Sequence, residues 1–144
     1  MSAVLNPLPT FSIIPKESID ALWPAVQGDI ARALATSNGE ATVDDTLLGL
    51  QRGATSLMLF FDGDAYFGVV YQFLVFPQFK IARVLLAFGK NMRQVDYAFE
   101  EAEKWAKTLG CKCVEAWVAT QSRVRLFSRF GYEPTYTIVR KELT

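Results

Sequence analysis

The side chains able to do chemistry are few, and their types exclude several mechanisms. The sequence contains no histidine, so the usual general base at neutral pH is absent, together with every catalytic dyad or triad built on it. The two cysteines, Cys111 and Cys113, are one residue apart, a spacing poorly suited to a disulfide between them. Two cysteines without histidine are also too few for a typical zinc site. We therefore predict reduced thiols in the core.

Glu115 is the carboxylate best placed for catalysis. It lies inside an otherwise apolar strand, where it could act as a general base. Because strand residues alternate between faces, it could equally point outward and form a surface ion pair with the arginines of a nearby helix. Those arginines either frame an anionic partner or form a solvated face paired with Glu133; they are Arg123, Arg125 and Arg129.

The bulk composition favours a single ordinary globular domain covering residues 1–144. The chain has 51% hydrophobic residues, well outside the range of disordered sequences. Fifteen basic and fifteen acidic residues give a formal charge of zero, so we expect no nucleic-acid partner. No apolar run is long enough to span a bilayer, and the first ten residues do not resemble a signal peptide. We therefore expect a cytoplasmic protein without a membrane partner.

The first third of the chain is predicted to be mostly helical. A helical pattern opens at residue 15, and Pro24 interrupts it. Because proline is tolerated in the first turn of a helix, we predict a second helix over residues 24–35. Thr42 and Asp45 resemble a capping box, which predicts a further helix over residues 43–52.

The remaining two thirds alternate between strands and helices. A long amphipathic helix follows Asn91 and ends at Gly110, and a short helix covers residues 122–130. The three tryptophans of the chain fall on apolar stripes, and we predict that they anchor the core: Trp23, Trp105 and Trp117. Strands are predicted over residues 10–14, 56–61, 65–76, 80–88, 113–118 and 136–143, of which the second to fourth form an antiparallel meander and the fifth is buried.

This order of elements resembles the GNAT acetyltransferase superfamily over nearly the whole chain. The resemblance sharpens near the C-terminus, where Arg125 to Tyr132 is similar to the family's motif of an aliphatic residue, Tyr, two spacers, an aliphatic residue, Gly and Phe. The resemblance implies an α/β (α+β) fold with a mixed, mainly antiparallel sheet, N-terminal helices, a long central helix and a short C-terminal helix. Residues 19–53 further resemble small phage or prophage GNAT-like proteins.

The resemblance also implies where acetyl-CoA would bind. In the family, the strand before the long helix diverges from its parallel neighbour, the pantetheine lies in the gap, and the diphosphate contacts amides at the helix start. On this chain the strand positions are Leu85, Leu86, Ala87 and Phe88, and the loop positions are Lys90, Asn91, Met92, Arg93, Gln94 and Val95. Arg93 and Val95 replace the small residues of the family loop. Either Lys90 and Arg93 bind the diphosphate through side-chain charge, or the pocket has been lost.

The sequence also departs from the family pattern at the position of the general acid. The family's general acid is a tyrosine on the last helix, and the aligned residue here is Phe127, which has no proton to donate. The nearby phenols are Tyr97, Tyr132 and Tyr136. Positioning an amine against the thioester supplies much of the rate without an acid.

Two hypotheses about function follow from these observations. The first is an N-acyltransferase that uses acetyl-CoA to acylate an amine. The second is a catalytically degenerate GNAT-fold binding or structural protein, with virion proteins as partners if it is phage-derived. A homodimer through exposed aromatics at the meander tip is compatible with either; these are Phe73, Phe76 and Phe79.

Overall fold

The computed structural model describes residues 10–37, 39–90 and 95–144, which contain five strands and four α-helices. A single 3₁₀ turn, Lys16–Ser18, precedes the first helix. In chain order the elements are β1 (Thr10–Ile14), α1 (Ile19–Leu34), α2 (Val43–Arg52), β2 (Ser56–Asp62), β3 (Ala65–Val75), β4 (Lys80–Lys90), α3 (Val95–Thr108), β5 (Cys111–Ala116) and α4 (Gln121–Ser128).

The five strands form one sheet in the order β1-β2-β3-β4-β5. The first three pairings are antiparallel and the last, between β4 and β5, is parallel. Alternation along β2 divides the core between two faces: Leu57 and Leu59 pack with α1 and α2, whereas Met58 and Phe60 pack with α3. The predicted fold class is confirmed.

The predicted break at Pro24 is wrong. Pro24 lies inside α1, which runs without interruption from Ile19 to Leu34. Ile19, Val26 and Ile30 are all buried on one stripe of this helix, and together they pack against the sheet. This continuous apolar face stabilises a single helix and outweighs the one backbone hydrogen bond that proline removes.

The start and end of α2 were predicted correctly. The Thr42 hydroxyl accepts from the Asp45 amide at 3.1 Å, and the Asp45 carboxylate accepts from the Thr42 amide at 2.9 Å. The hydrogen bond that the Asp45 carboxylate accepts from the Thr42 amide, and secondarily its interaction with the Thr42 hydroxyl, lower the pKa of Asp45. The helix ends at Gly53, whose φ of 74° lies in the left-handed region that favours glycine.

The strands of the meander agree with the predictions to within two residues at each end. Helix α3 runs from Val95 to Thr108, close to the predicted end at Gly110, and its predicted start after Asn91 lies outside the described residues.

The strand predicted over residues 113–118 exists as β5, shifted by two residues to Cys111–Ala116, but its predicted burial is wrong. β5 is a half-exposed edge strand, because no strand of the described chain pairs with its outer side. The strand predicted over residues 136–143 is wrong. These residues are not in a strand, and the side chains of Tyr136 and Val139 are exposed to solvent.

Three side chains that were predicted to be in the core are not buried there, because they lie on or just after the edge strand β5. Cys111 is half-buried and Cys113 is exposed, and both are free thiols. Trp117 is 55% exposed, whereas Trp23 and Trp105 pack against the core as predicted.

Candidate active site

Strands β4 and β5 separate part-way along β4. Their parallel pairing ends at Val84 and Ala116. Strand β4 continues for six more residues to Lys90, still paired with β3 on its other side, as far as the contact between Tyr66 and Lys90. On the β5 side, residues 85–90 have no partner strand among the described residues, so their backbone groups border a gap.

A β-bulge marks the point of separation. Val84 pairs with Tyr71 and Leu86 pairs with Val70, so Leu85 is an extra residue on β4 and is 37% exposed. A bulge bends its strand and changes which face the following side chains occupy. Before the bulge, Val84 faces α3; after it, Leu86 packs on the side of α1 and α2.

An apolar cavity of about 40 Å³ lies on the α3 side of this junction. Its walls include Val84 and Ala87 of β4, Val114 of β5, and two aromatic residues after the parallel pair, Phe127 and Tyr132. The cavity joins the last paired residues to the first unpaired ones.

The predicted cofactor residues lie on β4, at the start of α3, and in the segment between them. Leu85, Leu86, Ala87 and Phe88 all lie on the unpaired stretch of β4, and Lys90 is its exposed last residue. Val95 is the first, half-buried residue of α3. Asn91, Met92, Arg93 and Gln94 lie outside the described residues, so the predicted diphosphate loop is known only at its two ends.

Glu115 lies at the same junction but is already paired. Its Oε1 accepts a hydrogen bond from Arg83 Nε at 2.5 Å, and the two side chains are 33% and 18% exposed. Arg83 and Glu115 are directly opposite each other on β4 and β5, one pair before the strands separate. Glu115 does form an ion pair, as one alternative predicted. Its partner is Arg83 of the neighbouring strand, so the predicted partners, the arginines of α4, are wrong.

The side chain of Trp117 completes a small polar cluster with this pair. The Arg83 guanidinium lies 4.7 Å from the centre of the Trp117 ring. Arg83 is thus held by an acid on one side and an aromatic face on another. The apolar residues around Trp117 in the sequence predicted a core position, and they did not indicate this contact with Arg83.

Phe127 lies on α4 beside the cavity, as the resemblance implies. Its ring contacts Phe99 of α3 and Tyr132, with centroid distances of 5.6 and 5.2 Å. The Tyr132 hydroxyl donates to Glu103 of α3 at 3.1 Å. Burial, and secondarily the charge of Glu103, raise the pKa of this phenol. The Tyr132 hydroxyl therefore points to a carboxylate of α3.

The other predicted residues are spread around the molecule. Tyr97 is half-buried on α3, and Tyr136 is exposed beyond α4. Arg123 donates to the Thr36 hydroxyl at the end of α1 at 3.3 Å. Arg125 and Arg129 are exposed. At the meander tip, Phe76 and Phe79 contact each other, whereas Phe73 packs against the core beside Trp105.

A second polar cluster near β4 was missed by the sequence analysis. Asp29 of α1 accepts a hydrogen bond from the Tyr66 hydroxyl and forms an ion pair with Arg32, and its side chain is 10% exposed. The Tyr66 ring contacts Phe88 at 6.0 Å, on the unpaired stretch of β4. In the sequence, Asp29 lies between Val26 and Ile30, which are both buried on the inner stripe of α1. A carboxylate at that position of the helix was the signal that could have indicated this polar cluster.

No protein-family model matches the sequence, and none of the curated proteins is significantly similar to it. Solved structures are similar. A GNAT family acetyltransferase from Staphylococcus aureus superimposes with a TM-score of 0.61 and 14% identity, over 95% of this chain and 100% of that one. The chain has the GNAT fold.

Two further solved structures extend the comparison. An integron cassette protein from Vibrio cholerae has a TM-score of 0.66 at 12% identity, covering 94% of this chain and 93% of that one. An aminoglycoside N-acetyltransferase in complex with CoA has a TM-score of 0.62 at 10% identity, covering 97% and 99%. At these identities the likeness concerns the fold. In the described part of this GNAT-fold chain, no helix has the length and apolar character needed to cross a bilayer.

Proposed function

We propose that this GNAT-fold chain is an acyl-CoA-dependent N-acyltransferase that uses acetyl-CoA to acylate an amine. The observation that carries the proposal is the separation of β4 from β5 after the Val84–Ala116 pair, which leaves six residues of β4 without a described partner strand on the β5 side, beside an apolar cavity. A pantetheine arm has the amides and the extended shape to hydrogen-bond along such an edge. A structural neighbour of the chain is in complex with CoA.

The residues of this chain fit the pantetheine portion of acyl-CoA. Leu85, Leu86, Ala87 and Phe88 would offer backbone amides and carbonyls, and Ala87 contributes a small side chain to the cavity wall. Lys90 at the end of β4 would attract the diphosphate, together with Arg93. Asn91, Met92, Gln94 and Val95 are proposed to supply the backbone of the same loop.

Acyl-CoA supplies an activated thioester. In the transfer, the amine nitrogen forms a bond to the acyl carbon as the carbon–sulfur bond breaks; the amine loses a proton and the thiolate gains one. We propose Glu115 as the base that accepts the amine proton through a water molecule. Arg83 would hold one carboxylate oxygen and leave the other for that water. Solvent would protonate the thiolate, since Phe127 has no acidic proton.

A second candidate function is binding without catalysis. It is favoured by the phenyl ring of Phe127 at the general-acid position and by the hydrogen bond that directs Tyr132 to Glu103. In this account the fold binds CoA or a protein partner and transfers nothing. A phage or prophage origin with virion partners, and a dimer through the meander tip, stay predictions within this second account.

Titration calorimetry with acetyl-CoA tests both accounts. The wild-type chain should release heat at a single site, and Lys90→Ala and Arg93→Ala should each weaken binding about tenfold or more by removing a charged contact to the diphosphate. Lys104→Ala is the matched control, because Lys104 is an exposed lysine of α3 paired with Glu101. Heat with subsequent release of free thiol in the presence of amines supports transfer. Heat without thiol release supports binding alone, and no heat contradicts both CoA-based accounts.

A further inference from the structure

A second cavity, of about 250 Å³, lies near the β1 edge of the sheet, across the sheet from the gap between β4 and β5. Its walls come from the end of β1, the start of α1, the end of α2 and the start of β2. None of the described residues that line it belongs to β4, β5 or α3. The cavity is therefore separate from the proposed acyl-CoA groove, and no step of the proposed transfer uses it.

The floor of this cavity is apolar. It consists of Ile19 of α1, Leu50 of α2 and Leu57 of β2, each of which is at most 2% exposed. Ile14 of β1 adds a half-buried side wall. Such a surface favours contact with a hydrocarbon group over contact with water. Since a water molecule occupies roughly 30 Å³ in the liquid, the cavity accommodates a ligand of about eight non-hydrogen atoms.

One wall of the cavity carries a polar atom without a partner. Thr55 lines the cavity, and its hydroxyl oxygen is buried with no hydrogen-bond partner in the described part of the protein. The Thr55 amide is already bonded to the Gly49 carbonyl at 3.2 Å, so the hydroxyl is the group available to a ligand. A buried hydroxyl without a partner costs free energy that valine, of nearly the same shape, would not cost. A ligand atom that accepts from this hydroxyl removes that cost.

The rim of the cavity carries a positive charge. Lys16 is exposed there, and its Cδ atom lies 3.5 Å from the position that a Cβ atom would have at Gly53. Lys16 forms no ion pair with any described residue. The nearby acid Asp20 instead accepts a hydrogen bond from Gln51 at 2.7 Å. The Lys16 ammonium also offsets the negative end of the α2 dipole, which would otherwise repel an anion. The rim therefore favours an anionic head group.

We propose that this cavity binds a short aliphatic carboxylate of about six carbon atoms. The hydrocarbon chain lies against the apolar floor. One carboxylate oxygen accepts a hydrogen bond from the Thr55 hydroxyl, and the Lys16 ammonium neutralises the charge. Burial of the chain supplies affinity, and the two polar contacts select an acid over an alcohol or an amine.

NMR titration of the full chain with hexanoate tests the proposal. The amides of Leu50 and Thr55 should shift with a dissociation constant in the millimolar range, whereas those of residues 85–90 should not shift. Thr55→Val should weaken hexanoate binding about fivefold, because it removes the hydroxyl donor. The melting temperature of this variant without ligand should be unchanged or higher. Thr46→Val is the matched control and should not change binding, since the Thr46 hydroxyl already donates to the Thr42 carbonyl at 3.0 Å.

Two further comparisons test the charge of the head group. Lys16→Gln should weaken hexanoate binding about threefold and leave hexanol binding unchanged. Hexylammonium should bind at least about tenfold more weakly than hexanoate, because its charge is repelled by Lys16.

The proposal is overturned if hexanoate shifts no amide beside the cavity, or if hexylammonium binds as tightly as hexanoate. It is also overturned if Thr55→Val binds hexanoate as tightly as the wild type. A lower melting temperature for the free Thr55→Val variant would mean that the hydroxyl already has a partner within the protein, which contradicts the proposal as well.

Discussion

Arg83 and Glu115 face each other across the only parallel strand pair in the described chain, with Arg83 Nε 2.5 Å from Glu115 Oε1. They form the last paired position but one before β4 and β5 separate. The contact therefore joins the two strands at the point where the gap opens. We regard this ion pair as the group that fixes the width of the proposed acyl-CoA groove.

Breaking this pair should destabilise the fold. Arg83→Ala or Glu115→Ala should each lower the free energy of unfolding by about 1–3 kcal/mol, since the remaining partner is half-buried without its counter-charge. A double-mutant cycle followed by urea denaturation should give a coupling energy of about 1 kcal/mol or more. The exposed Lys104–Glu101 pair is the control and should give less than about 0.5 kcal/mol. Equal coupling energies for both pairs would contradict this role.

Gly89 is predicted to be irreplaceable because β3 lies too close to it. A Cβ atom at Gly89 would lie 2.5 Å from the Tyr66 carbonyl oxygen, a backbone atom that cannot move aside alone. Gly89→Ala should therefore lower the free energy of unfolding by about 1–3 kcal/mol and weaken acetyl-CoA binding by displacing the unpaired stretch of β4. Thermal unfolding and calorimetry measure the two effects.

Gly28→Ala provides the opposite expectation. Nothing lies within 4 Å of a Cβ atom at Gly28, which is exposed inside α1. Alanine should raise the free energy of unfolding by about 0.5–1 kcal/mol, because it favours the helix. A stabilised Gly89→Ala variant would contradict the close approach of β3 to Gly89, and a destabilised Gly28→Ala variant would contradict the open surroundings of Gly28.

Local patterns in the sequence predicted most of this fold. The Thr42–Asp45 capping box, the meander strands and the amphipathic α3 depend on interactions within a few residues, so each was recognisable alone. Where a distant part of the chain decides the outcome, the predictions were wrong. Pro24 is carried through α1 by packing against the sheet, and the strand-like residues 136–143 indicate the ability to pair without indicating a partner.

The candidate site divides in the same way. The resemblance put Leu85 to Phe88 on the strand that separates from β5, and the structure has these residues there. It could not indicate that Arg83 pairs with Glu115, because the two residues are 32 positions apart and meet only through strand register. Asp29 was missed for a similar reason: its contact with Tyr66 joins α1 to β3.

Stability should fall at high pH through two tyrosines, the buried Tyr71 and the half-buried Tyr132. Burial raises the pKa of Tyr71 from 10.0 to about 12 and also raises that of Tyr132. Both phenols are neutral in folded and unfolded chains below pH 10, so their contribution is fully present there. Between pH 10 and 12 the unfolded chain loses these protons first, which lowers the free energy of unfolding by at most about 1.4 kcal/mol per pH unit for each tyrosine.

Urea denaturation from pH 9 to 11.5 measures this dependence. Tyr71→Phe and Tyr132→Phe should each flatten the decline. Tyr136→Phe is the control and should leave the slope unchanged, since Tyr136 is 89% exposed. Equal slopes for Tyr71→Phe and wild type would mean that the Tyr71 phenol ionises as readily in the folded chain as in the unfolded one.

Adding a phenol at position 127 should increase transfer activity. Phe127 lies beside the cavity, and the resemblance assigns it the position of the family's general acid, so Phe127→Tyr would supply a proton to the departing thiolate in the proposed reaction. We expect kcat for acetyl transfer to rise roughly tenfold or more with little change in KM. Phe130→Tyr is the matched control, because Phe130 stacks on the same Phe99 ring at 4.6 Å. A similar rise in both variants would rule out a position-specific acid.

Hydrogen exchange of the β4 amides with and without acetyl-CoA tests the central claim most directly. If pantetheine hydrogen-bonds along this edge, those amides of residues 85–90 that point to the β5 side should exchange at least tenfold more slowly at saturating acetyl-CoA, while the amides that point to β3 and those of the hairpin between β2 and β3 stay unchanged. Unchanged exchange at residues 85–90, under conditions where calorimetry shows the ligand bound, would contradict the proposed groove.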